Sequence, residues 1–216
     1  MRIAIAGGHG QIARLLGRRL VADGHEVVGM IRSPEQADDL RADGIESAVI
    51  SLEEATADEM AKVISGADAV VFAAGGGSEG GRARKWSVDL FGAVLLADAA
   101  EQAGVRRYVM LSSVGADTPD QVDPGVFQVY LYAKGGADAD LRTRDLDWTI
   151  VRPGMLTDDE ATGEVTINPD QQRQSISRGD VAHTLADVLT TGARVHETFV
   201  VVNGSTPIEK AVAASE

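Results

Sequence analysis

Tyr130 and Lys134 stand four residues apart in the stretch Tyr130-Leu131-Tyr132-Ala133-Lys134, a spacing that stacks them on one face of a helix. An ammonium beside a phenol favours the phenolate, which brings proton transfer to or from a carbonyl or alcohol within reach near neutral pH. The lysine is also placed to hold a nicotinamide ribose. The spacing alone is common. What raises it here is its place between the fifth and sixth expected strands, near the mouth of a cofactor cleft. That cleft is marked by Gly7-Gly8-His9-Gly10-Gln11-Ile12-Ala13, which contains Gly8-x-Gly10-x-x-Ala13. Glycines let the backbone turn tightly and approach a pyrophosphate, whose charge then rests at a helix N-terminus, and the small Ala13 lets that helix pack on the strand. The turn lies between the first strand and first helix of a βαβ unit, the context in which this pattern binds a dinucleotide. Gly7, Gly8, His9, Gly10, Gln11 and Ile12 are therefore the expected cofactor-binding turn.

Discrimination between the two dinucleotides falls at the end of the second strand, where an acidic residue would accept hydrogen bonds from a ribose 2′-hydroxyl. The sequence there is Gly29-Met30-Ile31-Arg32-Ser33. No carboxylate is present, and Arg32 offers a planar fork suited to a 2′-phosphate, with Ser33 beside it as a further donor. NADP(H) is expected over NAD(H).

The elements that must position these groups alternate short β-branched runs with segments of helical period, the pattern of successive βαβ units. Strands are expected at Ile3 to Ala6, Val27 to Ile31, Ala48 to Ile50, Ala69 to Ala73, Tyr108 to Leu111, Trp148 to Val151, Glu164 to Ile167 and Thr198 to Val202. The first helix, Gln11 to Ala22, puts Ile12, Leu15, Leu16 and Leu20 on one face. Ser33-Pro34-Glu35-Gln36 and Ser51-Leu52-Glu53-Glu54 read as capping boxes opening helices that end near Gly44 and before Gly66. Gly75 to Arg84 reads as a mobile loop, and a helix from about Ser87 to Ala103 should turn Val88, Phe91 and Leu95 inward. Further helices are expected from about Val126 to Arg144 and from Asp180 to Thr190, with a turn-rich stretch from Gly115 to Gly125. Right-handed crossovers then give an α/β fold: a Rossmann-type doubly wound parallel sheet in three αβα layers, with a small C-terminal substrate-side extension. Residues 1–216 are expected to form one domain, about 152–197 supplying the substrate-side part.

Composition narrows the chemistry. The 216 residues are 44% hydrophobic and 25% charged, an ordinary globular balance. Cysteine is absent, so thiolate nucleophiles, disulfides and zinc-thiolate sites are excluded and redox work requires a borrowed cofactor. His9, His25, His183 and His196 show no ligand spacing, and no metal is expected. A net charge of −13 repels a phosphate backbone, so no nucleic-acid partner is expected. No apolar run reaches the length of a membrane span or a signal peptide, and a cytoplasmic location without a membrane partner is the expectation. Asp117, Asp120 and Asp123 lack calcium-loop spacing and read as a solvated turn. Trp148 and Phe127 read as core or cleft wall, and Arg178 with Asp180 as a cap and anchor for the helix beginning near Asp180.

Taken in order along almost the whole chain, several segments resemble the short-chain dehydrogenase/reductase superfamily, and within it the atypical single-domain NAD(P)H-binding group of epimerase/dehydratase-like proteins. They are the Gly7 to Ala13 turn, Arg32-Ser33-Pro34-Glu35, Val70 to Gly75, Val88-Asp89-Leu90-Phe91-Gly92, Gly104 to Ser113, Tyr130 to Lys134, Thr149 to Gly154 and Ile176 to Ala182. The resemblance implies a catalytic set in which Tyr130 is the acid/base, Lys134 orients the ribose, and Ser113, ahead of Ser112, hydrogen-bonds the substrate oxygen. It implies that Ala73, Ala74 and Gly75 pass close to the cofactor ribose and that the backbone from Pro153 through Gly154 to Met155 meets the nicotinamide. Ser51 stands where many relatives place an aspartate against adenine. The function expected is NADP(H)-dependent hydride transfer to or from a small carbonyl or conjugated substrate. A non-catalytic NADP(H) redox sensor and an epimerase or dehydratase are the alternatives. The substrate pocket is expected from Gly76 to Trp86, Gly115 to Phe127 and Leu156 to Arg173. A monomer or homodimer is expected, with pairing faces near Val88 and Val126.

Overall fold

The computed structural model describes residues 1–77, 80–118, 125–171 and 174–214. Its first half is β1 (Arg2–Ala6), α1 (Gln11–Ala22), β2 (Glu26–Ile31), a 3₁₀ turn at Pro34–Gln36, α2 (Ala37–Ala42), β3 (Glu46–Val49), α3 (Ala57–Ile64) and β4 (Ala69–Phe72). One helical rod follows in three registers: α4 (Gly81–Arg84), a π-helical stretch Lys85–Phe91 and α5 (Gly92–Ala103). Then come β5 (Arg107–Leu111), α6 (Val126–Arg142), β6 (Asp147–Pro153), β7 (Met155–Thr157), β8 (Glu164–Ile167), β9 (Ser175–Ser177), α7 (Arg178–Thr191), β10 (Glu197–Asn203), β11 (Thr206–Pro207) and α8 (Ile208–Ala213).

The main sheet runs β3-β2-β1-β4-β5-β6-β10-β8-β11. The strands from β3 to β10 pair in parallel, and β8 and β11 continue the sheet antiparallel. A separate two-stranded sheet joins β7 to β9. Because helices cover both faces, the central strands are buried on both sides. β4 reads Ala-Val-Val-Phe with all four residues buried, a continuous apolar run rather than an alternating one. Ile3, Ile5, Leu16, Leu20 and Val181 belong to the core on the α1, α7 and α8 face, and Phe72, Leu96, Tyr108 and Ile150 to the core on the α3, α5 and α6 face. This is the expected doubly wound Rossmann arrangement, and reversal of strand order at β1 and β4 opens a crevice at their C-terminal ends.

Several local expectations are corrected. The box that opens α3 is Thr56 with Glu59, not Ser51 with Glu54: Thr56 Oγ1 accepts from the Glu59 amide at 3.3 Å and the Glu59 carboxylate accepts from the Thr56 amide at 2.8 Å. The Ser51 segment closes only one turn, with the Ala55 amide donating to Ser51 O at 3.0 Å. Ser33 precedes the Pro34 turn without a side-chain cap, and its hydroxyl donates to Glu35. Part of the expected loop, Gly81–Arg84, is helical. The wider π turn after it points Lys85, Val88 and Asp89 inward and leaves Phe91 62% exposed, so Phe91 does not join Val88 in the core. α7 begins at Arg178, capped by Ser177, while Asp180 anchors it by accepting from the Gly163 amide at 2.8 Å and the Ser177 hydroxyl at 2.8 Å. Asp117 is an exposed turn residue, as expected, and it also pairs with Arg152. Asp120 and Asp123 lie outside the described residues, as do parts of the three expected pocket loops, Arg173 among them. Trp148 is core and Phe127, 64% exposed, is cleft wall.

Candidate functional site

Two cavities share the crevice, and Ala73, Ala74 and Gly75 line both. The first, about 280 Å³, is bounded by Gly7, His9, Gly10, Arg32, Ser51 and Arg84 among others. The second, about 750 Å³, is bounded by Ser112, Ser113, Tyr130, Lys134 and Pro153 to Leu156 among others.

The glycine turn fits a pyrophosphate for reasons visible in its packing. Gly7 has φ +78°, and a Cβ on it would stand 2.6 Å from Ala74 Cα. A Cβ on Gly8 would stand 2.6 Å from Gly29 Cα. These two glycines let the turn lie against β2 and the exit of β4. Gly10 is the N-cap of α1, with no side chain capping the helix and no acidic residue in its first turn. The first-turn N–H groups and the positive end of the helix dipole are thus left for an anion. The side chains of the next residues go elsewhere: Ile12 enters the core and Gln11 lines a separate surface cavity, so only their backbone belongs to this turn. His9 Nε2 lies 2.7 Å from Asp39 Oδ2, a contact that holds the Asp39 carboxyl below the usual range.

Arg32 is exposed on the wall of the first cavity and has no hydrogen bond to the described residues. Ser33 is not part of that wall. The sequence reading missed Arg84, which lines the same cavity and donates to Glu53 at 3.0 Å. Glu53 also accepts from the Ser87 hydroxyl at 2.6 Å, and that bond, above its pairing with Arg84, holds its carboxyl below the ordinary range.

α6 carries Tyr130, Lys134 and Asp138 at successive four-residue steps, and the first two line the second cavity. Lys134 is buried, and its Nζ donates to Leu111 O at 3.1 Å and Ala74 O at 3.3 Å. Its third direction faces Asp89 Oδ1 at 3.5 Å, an ion pair too long for a good hydrogen bond. Asp89 Oδ1 accordingly has no hydrogen-bond partner among the described groups, while Oδ2 accepts from the Gly76 amide at 2.9 Å. Lys134 Nζ lies 5.9 Å from the Tyr130 ring centroid, and Lys85 Nζ, which donates to Gly77 O at 2.7 Å, lies 5.4 Å from it. The Tyr130 hydroxyl has no hydrogen bond to the described residues.

Ser112 and Ser113 are separated by their partners. The Ser112 hydroxyl donates to the fully buried Asp138 at 2.8 Å, whereas Ser113 donates only to the adjacent Val114 O at 3.2 Å. Asp138 also accepts from Arg152 Nε at 2.9 Å, and Arg152 pairs onward with Asp117. Burial pushes the Asp138 carboxyl up, against the opposing pull of Arg152, while the Arg152 bond holds Asp117 below the usual range. This network forms the floor beneath the second cavity. The ladder from Lys134 to Asp138 is readable as spacing. Asp89 is not, because the π turn shifts the phase that would have revealed it. Pro153, Gly154 and Met155 border the second cavity, Met155 being 67% exposed at its rim.

Among the described residues no group of three or more metal-ligating side chains converges, and no helix is long and apolar enough to cross a membrane.

Residues 7–192 match the protein family described as NAD(P)H-binding. A solved structure from Bacillus halodurans named "Putative NAD-dependent epimerase/dehydratase" is 41% identical, with 98% of each chain covered and a TM-score of 0.91. The oxidoreductase ylbE from Lactococcus lactis is 32% identical over 98% of this chain and 95% of its own, with a TM-score of 0.86. A Bacillus subtilis protein named "Uncharacterized sugar epimerase YhfK" is 35% identical over 98% of this chain and 99% of its own.

Proposed function

The chain belongs to the NAD(P)H-binding family, and from that premise we propose that it is an NADP(H)-dependent oxidoreductase of the atypical short-chain dehydrogenase/reductase type. The reaction proposed is reduction of a carbonyl or conjugated substrate, or its reverse. The observation that carries this reading is the meeting of the two cavities at Ala73 to Gly75, with an anion cradle in one and Tyr130, Ser113 and Lys134 gathered in the other.

When bound, the nicotinamide ring supplies or receives a hydride. The protein's part is binding, orientation and proton movement. The α1 N-terminus and the Gly7 to Gly10 backbone would hold the pyrophosphate, and the planar guanidinium of Arg32 would hold the 2′-phosphate. Ala73 to Gly75 would meet the ribose, and Pro153, Gly154 and Met155 the nicotinamide. Lys134 donates to two carbonyls, and its third ammonium proton, which faces Asp89 Oδ1 at 3.5 Å and makes no good hydrogen bond there, would be the one to meet a ribose hydroxyl. Ser113 donates to the substrate oxygen, since Ser112 is committed to Asp138. Tyr130 would give its hydroxyl proton to the substrate oxygen in reduction and recover one from solvent, and in oxidation it would take that proton back. Residues 1–216 act as one unit, with about 152–197 forming the substrate side.

An epimerase is the second reading, favoured by the names of two similar proteins. It would withdraw and return hydride at one carbon without net NADPH consumption. Tyr130→Phe tests the first reading: NADPH affinity is retained while turnover with a carbonyl panel falls about 100-fold or more. Turnover equal to the parent's would remove Tyr130 from the chemistry. Tight NADPH binding without turnover on any carbonyl would favour a cofactor sensor.

A further inference from the structure

Among the described residues the two ends of the crevice differ in charge. The first cavity has Arg32, Arg84, which is paired with Glu53 of the same wall, and the positive end of α1. The second has two charged side chains among its described lining, Lys134 and Asp89, with side-chain exposures of 4% and 0%, and they face each other at 3.5 Å. Their charges offset, so the described lining of this larger cavity carries no net charge, and Lys85, over the Tyr130 ring, donates to Gly77 O. The cavity walls are instead Leu111, Val114, Leu131 and Leu156, with Phe127 and Met155 at the rim. Phe127 and Met155 are 64% and 67% exposed, so two large apolar side chains stand in water where an occupant would cover them.

From this asymmetry we infer that the second cavity takes an uncharged molecule with a broad apolar face and one hydrogen-bonding oxygen, such as a quinone or an enone, and does not take a nucleotide sugar. The inference rests on the proposed placement of substrate in this cavity beside the nicotinamide. A diphosphate or carboxylate entering there would lose hydration and find, among the described lining, no cation but Lys134, already paired with Asp89, in a chain whose net charge is −13. An uncharged ring buries its faces against Phe127, Leu131 and Met155 and directs its oxygen to the hydroxyls of Ser113 and Tyr130, which make no strong hydrogen bond to the described residues. This geometry separates the protein from enzymes that read a sugar through its diphosphate handle.

The test is direct binding, measured by calorimetry on the full chain with and without saturating NADP⁺, using menadione and UDP-glucose as probes. Cysteine is absent, so the quinone has no thiol to alkylate. Menadione is expected to bind, UDP-glucose is not, and Phe127→Asp is expected to weaken menadione about tenfold or more while leaving NADP⁺ affinity unchanged. Binding of UDP-glucose in the presence of NADP⁺, absence of menadione binding in both conditions, or menadione affinity indifferent to Phe127→Asp would each overturn the inference. Failure of NADP⁺ itself to bind would instead remove the functional reading, and the menadione arm without cofactor would still decide the character of the cavity.

Discussion

Gly8 and Gly10 lie two residues apart in one turn, yet they are required for different reasons, and two alanine substitutions separate them. A Cβ on Gly8 would stand 2.6 Å from Gly29 Cα, 2.9 Å from Gly29 C and 3.2 Å from Met30 N. All three are backbone atoms of β2, so no side-chain rotation relieves the clash, and the Gly8 amide donates to Met30 O at 2.9 Å across the same contact. Overpacking costs about 1–3 kcal/mol, and backbone against backbone belongs at the upper end. Gly8→Ala is therefore expected to lose about 3 kcal/mol, which lowers Tm by roughly 6–12 °C for a chain of this size. Gly10 differs. Its nearest obstacle to a Cβ is Gly7 O at 3.2 Å, followed by Ala73 O at 3.8 Å, and its φ of −62° and ψ of 150° suit alanine. Loss of stability should be about 1 kcal/mol or less, set by the weaker helix cap. The added methyl stands in the proposed pyrophosphate cradle, so NADPH affinity should fall at least about tenfold, or 1.4 kcal/mol. Thermal unfolding and calorimetric titration of both variants check the pair. A Gly8→Ala protein that melts with its parent, or a Gly10→Ala protein that binds NADPH as its parent does, would refute this reading of the turn.

Three further perturbations probe what supports the site. Arg152→Leu leaves the fully buried Asp138 without its cation and should cost about 3–5 kcal/mol in denaturant unfolding, part of which Arg152→Leu with Asp138→Leu recovers; a single-variant loss below about 1 kcal/mol would show that the floor does not depend on this pair. Asp43 is held below the usual carboxylate range chiefly by its hydrogen bond from Arg14, then by Arg18, so its ionised form stabilises the fold above the normal carboxylate pKa of about 4 and that contribution is lost as pH falls through the lowered value. The Tm gap between parent and Asp43→Asn should therefore be full near neutrality and close in strong acid, and a gap unchanged in strong acid would contradict the assignment. Thr56→Ala removes the capping box of α3 and should cost about 1 kcal/mol by thermal unfolding; no loss would mean the box contributes nothing measurable.

The parts legible in the sequence are those set by local periodicity. β-branched runs, the α1 stripe of Ile12, Leu16 and Leu20, and the glycine turn all depend on neighbours within a few residues, and their places in the fold agree with the structure. The four-residue spacing of Tyr130 and Lys134 likewise survives as a shared cavity wall. What was hidden depends on contacts across the chain. Ser51 and Thr56 both begin plausible capping boxes, and the reciprocal pair of bonds forms at Thr56 and Glu59, while Glu53 beside the first is drawn to Arg84 and Ser87 some thirty residues later. The π turn widens the helical period locally, so a 3.6-residue reading puts Phe91 inward and misses Asp89. The Ser112, Asp138, Arg152 and Asp117 network joins the residue after β5, α6, β6 and a turn, and no single segment carries its pattern.

The proposed function depends first on which nucleotide the crevice holds and on Arg32. Calorimetric titration of the parent and of Arg32→Ala with NADPH, NADP⁺, NADH and NAD⁺ addresses this directly. NADPH should bind the parent at least about tenfold more tightly than NADH, a gap of roughly 1.4 kcal/mol, and Arg32→Ala should erase that gap while leaving NADH affinity in place. Equal affinity of the parent for NADPH and NADH, or a preference that survives Arg32→Ala, would contradict the assignment of the 2′-phosphate to Arg32, and binding of none of the four would contradict the cofactor site itself.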